Sequence, residues 1–212
     1  MARPRTFDED RALDAAMRTF WANGYEATST QDLCEATGLG RSSIYNTFHS
    51  KRDLFRRSLT RYIDTMTMRQ IRILEDQERP TVERIQALFN SIIEGEFEGE
   101  FEVREGADGA GGGEGGGRSL GCLTVNTTVE LAGRDPDADA ILDRDLALRL
   151  ASLRVVLEAG QRAGEIGSSR DAGELARFLN AVIGGMRVSA QGGADRAALE
   201  SIAAIAVDAL RR

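Results

Sequence analysis

Apolar residues recur three and four positions apart along almost the whole chain, and no segment sustains an every-other-residue alternation, so the spacing predicts an all-α protein. A first helix over residues 7–23 places Leu13, Ala16, Met17, Phe20 and Trp21 on one face, opened by a Thr6/Glu9 capping box and closed by Gly24. Ser29 with Asp32 opens a short helix over 30–37, with Leu33 and Ala36 inward. The Gly38-Leu39-Gly40 turn then leads to another over 41–48, in which Ile44 and Phe48 point inward. Ser50 with Asp53 caps a fourth helix carrying Leu54, Phe55, Leu59, Tyr62, Ile63 and Met66, after which the apolar spacing fades towards Pro80. Further helices are predicted over 81–94, 120–131 and, after the Asp135-Pro136 start signal, 136–163.

The sharpest stripe lies near the C-terminus. Leu175, Phe178, Leu179, Val182, Ile183 and Met186 fall at offsets 0, 3, 4, 7, 8 and 11, interleaved with Gly184 and Gly185. The last helix, opened by Asp195, repeats the pattern with Leu199, Ile202, Ala203, Ala206, Ala209 and Leu210. Two adjacent helices rich in small residues fit half of a four-helix dimer seam, with Phe178, Val182, Met186, Ile202 and Ala206 as its contact residues. Packing within one subunit is the alternative.

Composition alters this picture in two places. Residues 106–117 hold eight glycines and no large apolar side chain, so they read as a flexible loop. The net charge of −7 argues at first against a nucleic-acid partner, but its distribution is uneven. Residues 1–57 carry nine Arg/Lys against eight Asp/Glu, whereas residues 58–212 carry eighteen against twenty-six. Any DNA contact must therefore be concentrated near the N-terminus. No apolar run is long enough to span a bilayer, and Met-Ala-Arg-Pro-Arg leads straight into charged residues, so a cytoplasmic protein without a membrane partner is expected. Cys34 and Cys122, far apart in sequence, are read as buried thiols rather than a disulfide framework.

Residues 29–48 have the anatomy of a helix-turn-helix: two short helices joined by a glycine turn and closed by the first helix into a small core. The second of the two helices must be held rigidly for its outer face to enter a major groove about 12 Å wide. That face carries Arg41, Ser42, Ser43, Tyr45, Asn46 and Thr47, groups suited to base edges and phosphates. Backbone amides near Thr30 suit a phosphate, as does Lys51, a cation at a helix start where the dipole disfavours it. His49, between the two helices, is read as a turn residue near a phosphate. A protein-contact module would instead favour aromatic and apolar anchors at this face.

At Phe20, Gly24-Tyr25, Thr28-Ser29, Gly38, Ile44-Tyr45, Phe48, Ser50-Lys51 and Leu54-Phe55 the chain resembles the DNA-binding domain of the TetR family of repressors. The likeness is dense over residues 7–57. A weaker one, from Gly121-Cys122-Leu123 and Val125-Asn126 to Glu165-Ile166, resembles the effector domain of one branch of that family. The resemblance implies nine helices, a helix-turn-helix domain at 1–50, and an effector and dimerisation domain at 51–212. It also implies a homodimer formed through the last two helices, a double-stranded DNA operator, and a pocket for a small-molecule effector framed by helices four to seven. By the same resemblance Tyr45 and Lys51 hold phosphates, and Arg41, Ser42, Ser43 and Asn46 face bases. Cys122, Asn126, Thr127 and Glu130 are the candidate pocket residues; the last three are polar positions on a largely apolar helix and are equally compatible with a solvated face.

The sequence offers little to an enzyme reading. His49 is the only histidine, so neither a multi-histidine metal site nor a catalytic triad outside the helix-turn-helix can be built, and no catalytic residue, metal or cofactor is expected. Gly111, Gly113 and Gly116 match G-x-G-x-x-G in spacing, but no buried strand precedes them.

Overall fold

The computed structural model describes residues 9–97 and 119–211. Among them are nine helices and no strand: α1 (Glu9–Asn23), α2 (Thr30–Thr37), α3 (Arg41–Phe48), α4 (Lys51–Leu74), α5 (Thr81–Phe97), α6 (Leu123–Leu131), α7 (Pro136–Arg162), α8 (Ala172–Gln191) and α9 (Arg196–Ala209). The expected loop at 106–117 and the Thr6 cap lie outside the described residues.

Local chemistry sets the boundaries. Ser29 and Asp32 form the reciprocal capping box of α2, and Asp32 is held below the usual carboxylate range by the Ser29 amide and hydroxyl. Gly38 ends α2 at φ 67°, a left-handed conformation that a side chain would strain even though the space around it is open. Asp53, Asp137 with Ala138, Glu174 and Ala198 donate their amides to the capping side chains of Ser50, Asp135, Asp171 and Asp195.

Three expectations are corrected. Ala36 is exposed, because the short α2 turns one narrow stripe inward and Leu33 fills it. The fourth helix does not fade: α4 runs to Leu74, and its later turns bury Thr67, Ile71 and Leu74. The sixth helix starts at Leu123 rather than near residue 120, because Gly121 takes φ 68° and Cys122 is the extended N-cap.

Two apolar cores result. The first gathers Ala16, Met17, Phe20, Leu33, Ile44, Phe48, Leu54 and Phe55, and extends to Tyr62, Cys122, Leu123, Leu131 and Ala138. Phe20 and Phe55 meet edge to face at 5.1 Å, and Trp21 packs edge-on against Tyr62 at 4.9 Å while donating to the Gly121 carbonyl. The second core joins α5, α7, α8 and α9 around Phe89, Leu157, Leu179, Met186 and Leu199. No described helix is long and apolar enough to cross a membrane.

Candidate nucleic-acid interface

The outer face of α3 is built by exclusion. Ile44 and Phe48 are fully buried beneath it, which turns Arg41, Ser42, Ser43 and Asn46 to solvent and leaves Tyr45 and Thr47 half-buried at its sides. The Tyr45 hydroxyl lies 3.2 Å from Thr30 Oγ1, pinning α3 to the first residue of α2, and the Arg41 guanidinium sits 5.8 Å from the Tyr45 ring centre. Hydrogen bonds from Thr30 and then Arg41 hold the Tyr45 phenol below its ordinary value. Thr30, Arg41 and Tyr45 thus form one cluster at an exposed edge.

His49 closes α3 in a strained backbone conformation, φ 59°, with its amide bonded to the Tyr45 carbonyl and its exposed ring 3.8 Å from Asp53. Lys51 has intramolecular partners: its ammonium lies 4.5 Å from the Tyr25 ring centre and 3.5 Å from the Glu26 carbonyl. Those contacts account for part of why a lysine stands at a helix start, and they park its charge beside the α1–α2 turn.

That turn is held from below by residues far away in sequence. The Glu130 carboxylate of α6 accepts hydrogen bonds from the amides of Tyr25 at 2.9 Å and Glu26 at 2.7 Å. Gly24 makes the close approach possible: its φ is 82°, and a Cβ there would stand 3.0 Å from the Glu130 carboxylate. Arg52 grips Asp135 with two hydrogen bonds of 2.9 and 2.6 Å, and Arg56 pairs with Asp137, tying the start of α4 to the start of α7. The Arg52 contact keeps Asp135 below the usual carboxylate range. On the other side of α4, Arg61 pairs with Asp14 and Asp10, and Arg57 with Glu9.

The candidate pocket residues are not brought together around one cavity. Glu130 serves the clasp just described. Asn126 Nδ2 donates to the Leu120 carbonyl at 3.0 Å, securing the entry to α6. Thr127 is 1 % exposed and its hydroxyl has no hydrogen-bond partner among the described residues. Cys122 is buried, 3.0 Å from Thr124 Oγ1 and 3.5 Å from the Tyr62 hydroxyl. A groove of about 450 Å³ between α6, α7 and α8 is lined instead by Thr124, Val125, Thr128, Leu142, Arg149 and Asn180.

Of the candidate dimer residues, Phe178 and Ile202 are exposed and Val182 is half-buried, but Met186 and Ala206 are turned into the subunit's own core. The same two helices also expose Val188 and Ile205, 53 % and 68 % exposed. The clasp, the Arg52–Asp135 pair and a buried Arg187–Glu96 pair escaped sequence reasoning, since each joins helices remote in the chain.

The clasp makes a testable demand. Glu130→Ala leaves two amides without their charged acceptor, and should lower stability by about 1–3 kcal/mol. It should also weaken operator binding by more than that loss explains, because the α1–α2 turn is freed. Thermal unfolding together with fluorescence anisotropy on a DNA fragment checks both. Operator affinity equal to wild type in folded protein would show that the turn holds its place without α6.

Comparison with known proteins gives a consistent picture. Residues 12–57 match the family model for bacterial regulatory proteins of the tetR family, and residues 115–206 match the model for a tetracyclin repressor-like C-terminal domain. The chain is 35 % identical to the HTH-type transcriptional repressor ComR of Escherichia coli K12, over 99 % of this chain and 90 % of the relative. Its structure superposes with a TM-score of 0.79 on a cysteine-substituted form of the TetR family transcriptional regulator CifR in complex with 26-base-pair double-strand operator DNA. That match is 27 % identical and covers 99 % of this chain and 100 % of the other. The regulatory protein TetR from Rhodobacter sphaeroides shares the fold at a TM-score of 0.80 and 17 % identity, over 95 % of this chain and 97 % of the other.

Proposed function

The chain belongs to the TetR family of bacterial regulatory proteins, DNA-binding transcriptional repressors with an N-terminal helix-turn-helix, and from that premise we propose that it acts as a homodimer released from a palindromic operator by a small-molecule ligand. The observation that carries the DNA reading is the outer face of α3. Arg41, Ser42, Ser43 and Asn46 are exposed on a helix whose opposite side is sealed by Ile44 and Phe48. Thr30, Tyr45 and Lys51 flank it as phosphate contacts, with Thr47 and His49 at its far end. We assign DNA reading to residues 1–50 and effector binding and dimerisation to residues 51–212.

Release requires that the ligand-bound and DNA-bound chains differ in the spacing of their recognition helices, and a ligand shifts that balance only by its differential affinity. The Glu130 clasp supports this reading, since it makes α6 part of the support for the α1–α2 turn. A protein that binds chromosomal DNA works in the cytoplasm. Selection of bound sequences from a random duplex pool tests the assignment. Two inverted half-sites about 34–36 Å apart are expected; recovery of no enriched sequence would overturn it.

The dimer has its own test. Phe178 and Val188 on α8 and Ile202 and Ile205 on α9 are apolar side chains that the subunit leaves exposed. Ile205→Glu leaves the monomer's core untouched, and two-fold symmetry puts the new charge into the seam twice. Sedimentation velocity should show the dimer dissociation constant raised by at least about a hundredfold, on the order of 3 kcal/mol. A wild-type chain that sediments as a monomer at micromolar concentration would remove the assignment.

A further inference from the structure

Apolar residues lie on two sides of α7. Leu153, Val156 and Leu157 belong to the second core. Leu148, Ala151, Val155 and Ala159, at offsets 0, 3, 7 and 11, make a second stripe, on which Val155 is 63 % exposed. Beside this stripe, α7, the last turn of α4 and the first turn of α5 border a groove of about 590 Å³, within the range of small-molecule sites. Leu74, Ala151, Val155, Val156 and Ala159 make its walls largely apolar. Two guanidiniums line it, from Arg84 of α5 and Arg162 of α7, against one carboxylate, the exposed Glu75.

The chain leaves both guanidiniums with donors to spare. Arg84 Nη1 donates to the Leu74 carbonyl at 3.2 Å and Nη2 to Thr81 Oγ1 at 3.5 Å, but its buried Nε has no hydrogen-bond partner among the described residues. Arg162 is exposed and has no carboxylate partner among them. The dipole of α7 favours a cation in its last turn and so accounts for Arg162, but Arg84 stands in the first turn of α5, where the same effect opposes it. Leu74 and Ser152 also line a crevice of about 20 Å³, room for a single water molecule, whose other walls include Ile71, Leu88, Leu153 and Ile183. Arg149 lines it too, but that guanidinium is already matched: it donates to Asn180 Oδ1 at 2.8 Å and lies 3.0 Å from the buried Asp145 carboxylate.

We propose that the effector is an anionic amphiphile, whose head sits between Arg84 and Arg162 and whose linear apolar tail runs along α7 into the crevice. The proposal rests on the ligand-released repressor reading above. Charge and shape select this class together. A cationic head would meet two guanidiniums and one carboxylate, and a neutral apolar compound would leave the spare donors of both arginines unused. The apolar stripe and the crevice walls offer a tail a continuous path past Leu74. Carboxylate and phosphate heads share the chemistry that a guanidinium fork recognises.

The narrowness of the crevice supplies the means of release. A tail cannot enter a space for one water unless the end of α4 parts from α7. The other end of α4 belongs to the DNA-binding core through Leu54 and Phe55, and is tied to the start of α7 by Arg52–Asp135 and Arg56–Asp137. A helix of 24 residues is about 36 Å long, so a tilt forced at Leu74 about those ties moves the small domain. The ligand therefore binds best to the parted arrangement and draws population towards it.

The test titrates the full-length chain by calorimetry with dodecanoate, dodecyl phosphate, dodecanol and dodecyltrimethylammonium, all below their micellar concentrations. At least one of the two anions should bind once per chain and at least about tenfold more tightly than dodecanol or the cation, and the tighter anion names the head. Arg162→Met and Arg84→Met should each weaken that binding by at least about tenfold, and Ala151→Trp, at an exposed position in the groove, should abolish it. Anisotropy on a selected operator fragment should show at least about tenfold weaker DNA binding when the anion is saturating, and no such change in Ala151→Trp. Val155→Glu should sediment as wild type does. The proposal is overturned if neither anion binds, if dodecanol or the cation binds as tightly, or if the saturated chain keeps its full DNA affinity. It is equally overturned if Val155→Glu turns dimers into monomers, which would give the groove to a second copy of the chain. A chain that binds no selected DNA in the absence of any amphiphile would instead overturn the parent reading, and calorimetry on the arginine variants would still decide whether the groove takes the anion.

Discussion

Alanine in place of Phe55 is expected to cost about 3–5 kcal/mol and to lower the melting temperature by on the order of 10 °C. Phe55 is 1 % exposed and lies between the rings of Phe20, at 5.1 Å, and Tyr25, at 4.9 Å. It is the residue through which α4 closes the core beneath the recognition helix. Truncation leaves a ring-sized void that neighbours from α1, α3 and α4 cannot collapse into without tilting α3. Operator binding at 37 °C should therefore fall before the second core, around Phe89 and Leu157, begins to melt. Thermal unfolding and anisotropy, followed on the same samples, decide the matter. A variant that melts with wild type would mean that the small core is not the unit that positions α3.

Arg41→Ala should have the largest effect on DNA affinity at no cost in stability. The side chain is exposed, its guanidinium is held near the Tyr45 ring, and it opens the helix whose face is proposed to meet the groove. Loss of a bidentate contact to guanine costs roughly 1–3 kcal/mol per half-site, so about 2–6 kcal/mol for the proposed dimer, and relaxes preference at one position in each half-site. Lys51→Ala supplies the contrast. Its ammonium rests on Tyr25 and near the Glu26 carbonyl, so it must leave these contacts to reach a phosphate, or reach one from where it stands. Either way its loss should weaken all sequences alike and flatten the salt dependence by about one unit of slope per half-site. Titrations of both variants at several salt concentrations separate base reading from phosphate contact. Wild-type affinity and slope in both would take α3 out of the DNA interface.

The parts of this molecule that sequence made legible are those governed by neighbours in the chain. Ser29 and Asp32 are three residues apart and cap each other, and Gly38 supplies the one conformation that ends α2, so both short helices of the helix-turn-helix fall on the residues expected. Where the deciding contact is remote, sequence was silent. Glu130 reads as a polar residue on an apolar helix, and nothing local reveals that its acceptors' partners are amides more than a hundred residues earlier. Met186 and Ala206 show a related limit. A stripe tells which positions are apolar, but α8 and α9 are apolar on two sides, and only packing decides which side the subunit keeps for itself. The start of α6 was misjudged because Leu120 continues the apolar spacing while Gly121 and Cys122 break the backbone pattern.

The arginines of α4 carry a consequence for how the protein finds its target in a cell. Arg52, Arg56 and Arg57 lie in the N-terminal region, yet each is matched to a carboxylate of the chain itself. Among the described residues, then, three of that region's cations must leave a carboxylate of the chain before they can displace counterions from an arbitrary stretch of duplex. With an acidic body behind it, the protein should bind bulk chromosome weakly and spend little time there. The vast excess of unrelated sequence is then a poor reservoir, and a small number of copies per cell is enough to keep an operator filled.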